Sequence, residues 1–142
     1  MRALLDVNVL IALLDAGHAS HSAALRWFSA NAAAGWASCP ITQNGCVRIL
    51  SHPKYPRPHA VHETVHRLRE MTVAHVHQFW PDDVSLLDEN DINPTRIHGP
   101  RQLTDVYLLA LAVKHRGCLV TFDLSIGRDA VQGATPAHLV VL

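Results

Sequence analysis

Apolar positions along this chain fall into two alternating kinds of block, short unbroken runs and longer stretches recurring at helical spacing. Ala3-Leu4-Leu5 opens the series and breaks on Asp6. Val9, Leu10, Leu13 and Leu14 then repeat as one helix face does, so the strand-to-helix switch falls at Asp6 to Asn8. Asp15-Ala16-Gly17 reads as a turn. Ser20 or His21 leads into a second helix through Ala24, Trp27 and Phe28, which Gly35 ends. Trp36 to Cys39 is a short strand stopped by Pro40. Thr42 reads as the N-cap of a helix carrying Val47, Ile49 and Leu50, closed by the Pro-rich stretch Pro53 to Pro58.

Val61, Val65 and Leu68 predict the buried stripe of an amphipathic helix over 59–71. Val73 to Trp80 alternates and Val84 to Leu87 is apolar, which predicts one strand in this region without fixing its bounds. Asp88 to Arg101, with Asn93-Pro94 and Gly99-Pro100, is the longest predicted loop. Thr104 opens the most apolar helix, Val106 to Val113, buried nearly all round and closed by Gly117 in the manner of a left-handed cap. Cys118 to Phe122 is the clearest buried strand and ends on Asp123; His138 to Leu142 is the last. Strands alternating with helices imply an α/β fold, a three-layer α/β/α sandwich with a mostly parallel central sheet, in a single domain over residues 1–142.

Composition narrows the class. A chain of 142 residues, 49% hydrophobic and 17% charged, can build a substantial core and is not disordered. Twelve basic and 12 acidic residues cancel, so any nucleic-acid partner must be held by local cationic patches. No run is long enough to span a membrane and the start lacks secretory-signal features, so the expected location is cytoplasmic, with no membrane partner. Cys39, Cys46 and Cys118 sit in apolar surroundings without metal-ligand spacing and read as reduced core thiols.

Asp6 and Asp123 end separate buried strands, and Asp105 lies in the first turn of a buried helix that in this architecture starts near the same sheet edge. Each aspartate has a structural alternative as a helix cap or turn former. Together they form a set whose mutual repulsion a hard divalent cation relieves, and such an ion activates water for phosphoryl transfer.

With those residues in place, the chain resembles the PIN-domain family, and within it the VapC-type toxins. Leu5-Asp6-Val7-Asn8-Val9-Leu10 looks like the family's opening motif, Leu103 to Ala112 like its central helix, and Leu119-Val120-Thr121-Phe122-Asp123 like its late strand. The resemblance implies a Rossmann-like PIN fold, Mg²⁺- or Mn²⁺-dependent cleavage of RNA, control by a cognate antitoxin, and homodimers. Asp6 and Asp105 would be metal ligands, with Asp123 completing the cluster. The family usually adds a glutamate early in the helix after the second strand, where this chain reads Thr42-Gln43-Asn44-Gly45. Asn44 is the candidate there, offering a carbonyl oxygen but no charge, with Gln43 and Gly45 as alternatives of register.

Two rival readings stand beside this one. His62-Glu63-Thr64-Val65-His66 matches the H-E-x-x-H signature of zinc peptidases, although 11 histidines favour chance matches and no third ligand is evident. The other rival is a catalytically weak module that only holds RNA. Lys54, Tyr55 and Arg57 in one loop and Arg96, His98 and Arg101 in another are candidate phosphate contacts beside the acidic edge.

Overall fold

The computed structural model describes residues 1–142. Its strands are β1 (Ala3–Leu5), β2 (Trp36–Ser38), β3 (His77–Phe79), β4 (Cys118–Thr121) and β5 (Leu139–Val141). The helices are α1 (Val7–Leu14), α2 (His21–Asn31), α3 (Pro40–Leu50), α4 (Val61–Ala74) and α5 (Leu103–Lys114). The sheet order is β3-β2-β1-β4-β5, and every pairing is parallel. The expected sandwich is therefore present, with its sheet wholly parallel.

Strand alternation divides the core. Ala3 and Leu5 of β1, with Cys118 and Val120 of β4, face a cluster shared with α1 to α4. Leu4, Ala37 and Leu119 point the other way, into a cluster built on α5. Leu4, Leu5 and Leu119 are wholly buried, each contributing about 1.5–3 kcal/mol by leaving water. The apolar character of α5 follows, because it is covered by the sheet on one side and by the segment after β3 on the other. Trp80 and Ile92 anchor that segment; the Trp80 ring stacks on His115, and Ile92 bridges to Val131. All three cysteines are buried and free. No helix is long and apolar enough to cross a membrane.

Several local expectations are corrected. Helix α3 begins at Pro40, whose missing N–H is no loss in a first turn; Cys39 is the cap, and the Thr42 hydroxyl reaches back to accept from the Cys39 N–H at 3.0 Å. Helix α4 continues to Ala74, absorbing Val73, so the only strand between α4 and α5 is β3, and Val84 to Leu87 forms none. The buried stripe of α4 is Thr64 and Leu68, with Val61 57% exposed and Val65 37% exposed. Thr64 tolerates burial because its hydroxyl donates to the Ala60 carbonyl at 3.1 Å. After α5, the left-handed residue is Arg116, at φ 56°. Gly117 is needed for a different reason: a Cβ there would drive into the Arg2 carbonyl and lie 2.6 Å from the Trp80 ring.

Candidate active site

The strand order reverses at β1 and β4, and crevices at such switch points, outside the carboxyl ends of strands, are where open α/β sheets bind ligands. Asp6 follows β1 directly, and Asp123 lies just past β4. Asp6 is 6% exposed, with Oδ1 accepting from the Val7 N–H at 2.6 Å and Oδ2 from the Thr121 hydroxyl at 2.7 Å. Asp6 is also the N-cap of α1, as its capping reading expects.

Thr121 is not among the residues that the sequence marks, yet its hydroxyl is the junction of the edge. It donates to Asp6 and accepts from Asn8 Nδ2 at 3.1 Å and from the Asp123 N–H at 3.0 Å. One donor and two acceptor positions are all that a hydroxyl possesses. Asn8 completes the link between the strands, its Oδ1 accepting from the Phe122 N–H at 3.2 Å. The available signal was a polar residue ending an otherwise apolar strand, the same signal that marked the aspartates.

Asp105 stands in the first turn of α5, and its side chain makes no hydrogen bond within the chain. Burial pushes its carboxyl up to about 6, and the charges of Asp6 and Asp123 add to the shift. Asp6 is also raised, chiefly by burial, despite the opposing bonds from Thr121 and Val7. Asp123 goes the other way, because the Ser125 hydroxyl and N–H both donate to its Oδ1, at 2.6 and 2.7 Å. Its Oδ2 carries no protein partner.

The three carboxylates therefore act on one another electrostatically, but no group of three or more His, Cys, Asp or Glu side chains stands at metal-holding spacing. Their chemistry nonetheless fits a hard divalent cation. All donors are oxygens, two of the three groups have an oxygen free of protein bonds, and the site disfavours its own full ionisation.

The PIN domain family matches residues 3–130. The chain is 53% identical to Ribonuclease VapC44 of Mycobacterium tuberculosis over 142 residues, covering 100% of both chains. It is 42% identical to Ribonuclease VapC39 of the same organism over 134 residues, spanning 94% of this chain and 96% of that one. Identity to Ribonuclease VapC38 is 40% over 142 residues, 99% of each chain. The chain belongs to the PIN-domain family.

This PIN domain has no carboxylate on α3 near Asp6. Asn44 is exposed and lines a cavity of about 340 Å³ with Arg69 and Thr72 of α4, apart from all three aspartates. Gln43 donates to Ser38 Oγ at 2.9 Å, which in turn contacts His77 Nε2 at 2.8 Å. Gly45 faces Val7, where a Cβ would come within 2.7 Å of Cγ2. The structure thus leaves Asn44 outside the hydrogen-bonded acidic edge.

His62 and His66 of this PIN domain are exposed, and His66 pairs only with Glu70, at 3.3 Å along the same helix. No metal-holding group includes them. The two candidate phosphate loops separate. Helix α3 starts at the carboxyl edge, so the loop after it lies at the opposite, amino edge. There the Tyr55 hydroxyl and Arg57 both donate to buried Asp15, Arg57 at 2.7 and 3.1 Å, and hold its carboxyl well below the usual range. Tyr55 and Arg57 are a structural clamp and not a part of the acidic edge. Arg96 and His98, by contrast, share a cavity of about 200 Å³ with Asp105, while Arg101 does not line it.

Proposed function

We propose that this PIN domain is a Mg²⁺- or Mn²⁺-dependent endoribonuclease and the toxin of a toxin–antitoxin pair, acting in the cytoplasm as a homodimer and restrained by a cognate antitoxin protein. The observation that carries the chemistry is the coupled acidic edge, where Asp105 is raised to about 6 by burial and by two neighbouring carboxylates. Full-length likeness to three proteins named ribonucleases supplies the substrate class. Asp6, Asp105 and Asp123 would hold the ion, which when bound lowers the pKa of water and offsets charge on a phosphodiester.

The protein's own contribution is positional. Thr121 and Asn8 fix Asp6 relative to β4, and the Ser125 bonds hold Asp123 Oδ1 while leaving its Oδ2 without a protein partner. Without a glutamate on α3 the ion would have one charged ligand fewer, which would favour weak binding.

The test is incubation of single-stranded RNA with the purified protein in Mg²⁺, in Mn²⁺ and in chelator, beside Asp6→Asn. Cutting that needs the ion and vanishes in Asp6→Asn is expected. Undiminished cutting in chelator, or by Asp6→Asn, removes the proposal.

A further inference from the structure

The cavity beside Asp105 holds a combination of groups that phosphodiester hydrolysis does not require. Arg96 and His98 line it from the long segment before α5, Asp129 and Ile126 from the segment after β4, and Gln102 and Val106 from the start of α5. Arg96 and Asp129 carry opposite charges on this one cavity, yet they form no ion pair: the chain's three are Arg57 with Asp15, His66 with Glu70, and His115 with Asp83. Neither side chain makes any other hydrogen bond within the chain. An arginine and an aspartate standing unpaired across a shared space leave a donor fork and an acceptor pair available to something placed between them.

We infer that this cavity is a base-recognition subsite that takes a guanine flanking the scissile phosphate. The inference rests on the ribonuclease reading, since Asp105 opens into the same space and would set the neighbouring phosphate at the acidic edge. Size limits the ligand first. At about 200 Å³ the cavity is smaller than the roughly 300–1,000 Å³ typical of drug-sized ligands, so it suits one planar base and not an oligonucleotide. Chemistry then selects the base. Guanine presents two adjacent acceptors, O6 and N7, which match an arginine fork, while its N1–H and N2 amino group match a carboxylate. Adenine and cytosine place an amino donor where guanine has O6, and uracil has no second donor for Asp129. His98 supplies a ring for stacking, as single-stranded RNA readers commonly use, and Ile126 and Val106 provide apolar wall.

The subsite is tested by cutting a randomised single-stranded RNA in Mn²⁺ and sequencing the ends. Guanosine should be enriched at one position next to the cut, and Arg96→Ala or Asp129→Asn should each reduce that preference by roughly tenfold, the scale of one bidentate base contact. In a fixed substrate, 7-deazaguanosine removes the acceptor assigned to Arg96, and inosine removes an amino donor assigned to Asp129. Each should slow the wild type and leave the matching variant little changed. A readout without turnover is NMR titration with 5′-GMP and 5′-AMP, in which GMP should perturb Gln102 and Ile126 more strongly. RNA cut without guanosine bias, or with a bias that both variants keep, overturns the subsite and leaves the ribonuclease reading standing. If no RNA is cut at all, that reading falls, and selective perturbation by GMP then decides the subsite by itself.

Discussion

Replacing Asp105 by asparagine removes a charge with almost no change of shape, so its effect on the metal-free protein isolates what the acidic edge costs the fold. Its carboxyl is raised to about 6 from the ordinary value of 3.8. A difference of about two units corresponds to roughly 3 kcal/mol at most when the group is ionised, at 1.36 kcal/mol per unit. Partial solvent access reduces that figure, and losing a negative charge from the first turn of α5 forfeits about 0.3–1 kcal/mol of helix-dipole complementarity. Asp105→Asn should therefore gain about 1–2 kcal/mol at neutral pH in chelator, a rise of roughly 3–8 °C in Tm for a chain of this size.

The pH dependence carries a definite sign. A carboxyl with a raised folded pKa binds more protons folded than unfolded between about 3.8 and 6, so stability falls as pH rises through that window. Wild type should thus gain on the variant when melted at pH 4.5 instead of 7.5, while the raised pKa of Asp6 shifts both proteins alike. Thermal melts in chelator at both pH values provide the measurement. If Asp105→Asn melts below wild type at pH 7.5, its carboxylate is a stabilising cap and the repulsive edge is not there.

Other expectations follow from the same geometry. Thr121→Val leaves Asp6 without one of its two bonds and Asn8 without its acceptor, and should lower stability by about 1–3 kcal/mol in denaturant titrations. His62→Ala with His66→Ala should leave the rate of RNA cutting and its metal requirement unchanged, because both rings are exposed; loss restored by zinc would revive the peptidase reading. Asn44→Glu should leave the Mn²⁺ concentration for half-maximal cutting unaltered, since Asn44 looks onto α4, and a lowered requirement would show that it does reach the ion. Stability should fall as pH drops below about 4, where Asp15 is protonated in the unfolded chain while Arg57 and Tyr55 keep it ionised in the folded one, and Tyr55→Phe should move that acid transition upward.

The parallel sheet and the three aspartates were legible in the sequence because both depend on local, periodic information. A buried strand is an unbroken apolar run, and Ala3-Leu4-Leu5 and Cys118 to Thr121 each end where a polar side chain must emerge at the edge. What stayed hidden depends on packing between distant segments. Thr64, not Val61 or Val65, faces the core because α4 lies at an angle its own pattern does not specify, and a backbone bond satisfies the hydroxyl. Tyr55 and Arg57 looked like free phosphate contacts because their partner, Asp15, is some 40 residues away in the chain. Asn44 looked suitable by register alone, whereas the contact of Gly45 with Val7 sets how α3 turns toward the edge. Thr121 was readable as part of a strand but not as a junction, since Asp6 and Asn8, at the start of α1, lie 115 and 113 residues away in the chain.

If Asp6, Asp105 and Asp123 hold one catalytic ion between them, Mn²⁺ binding followed by electron paramagnetic resonance reports it without relying on turnover. Wild type should remove free Mn²⁺ from solution with saturable affinity, and each of Asp6→Asn, Asp105→Asn and Asp123→Asn should weaken that binding by tenfold or more, about 1.4 kcal/mol, in parallel with lost RNA cutting. Equal Mn²⁺ binding by wild type and by all three variants would mean that these carboxylates do not share an ion.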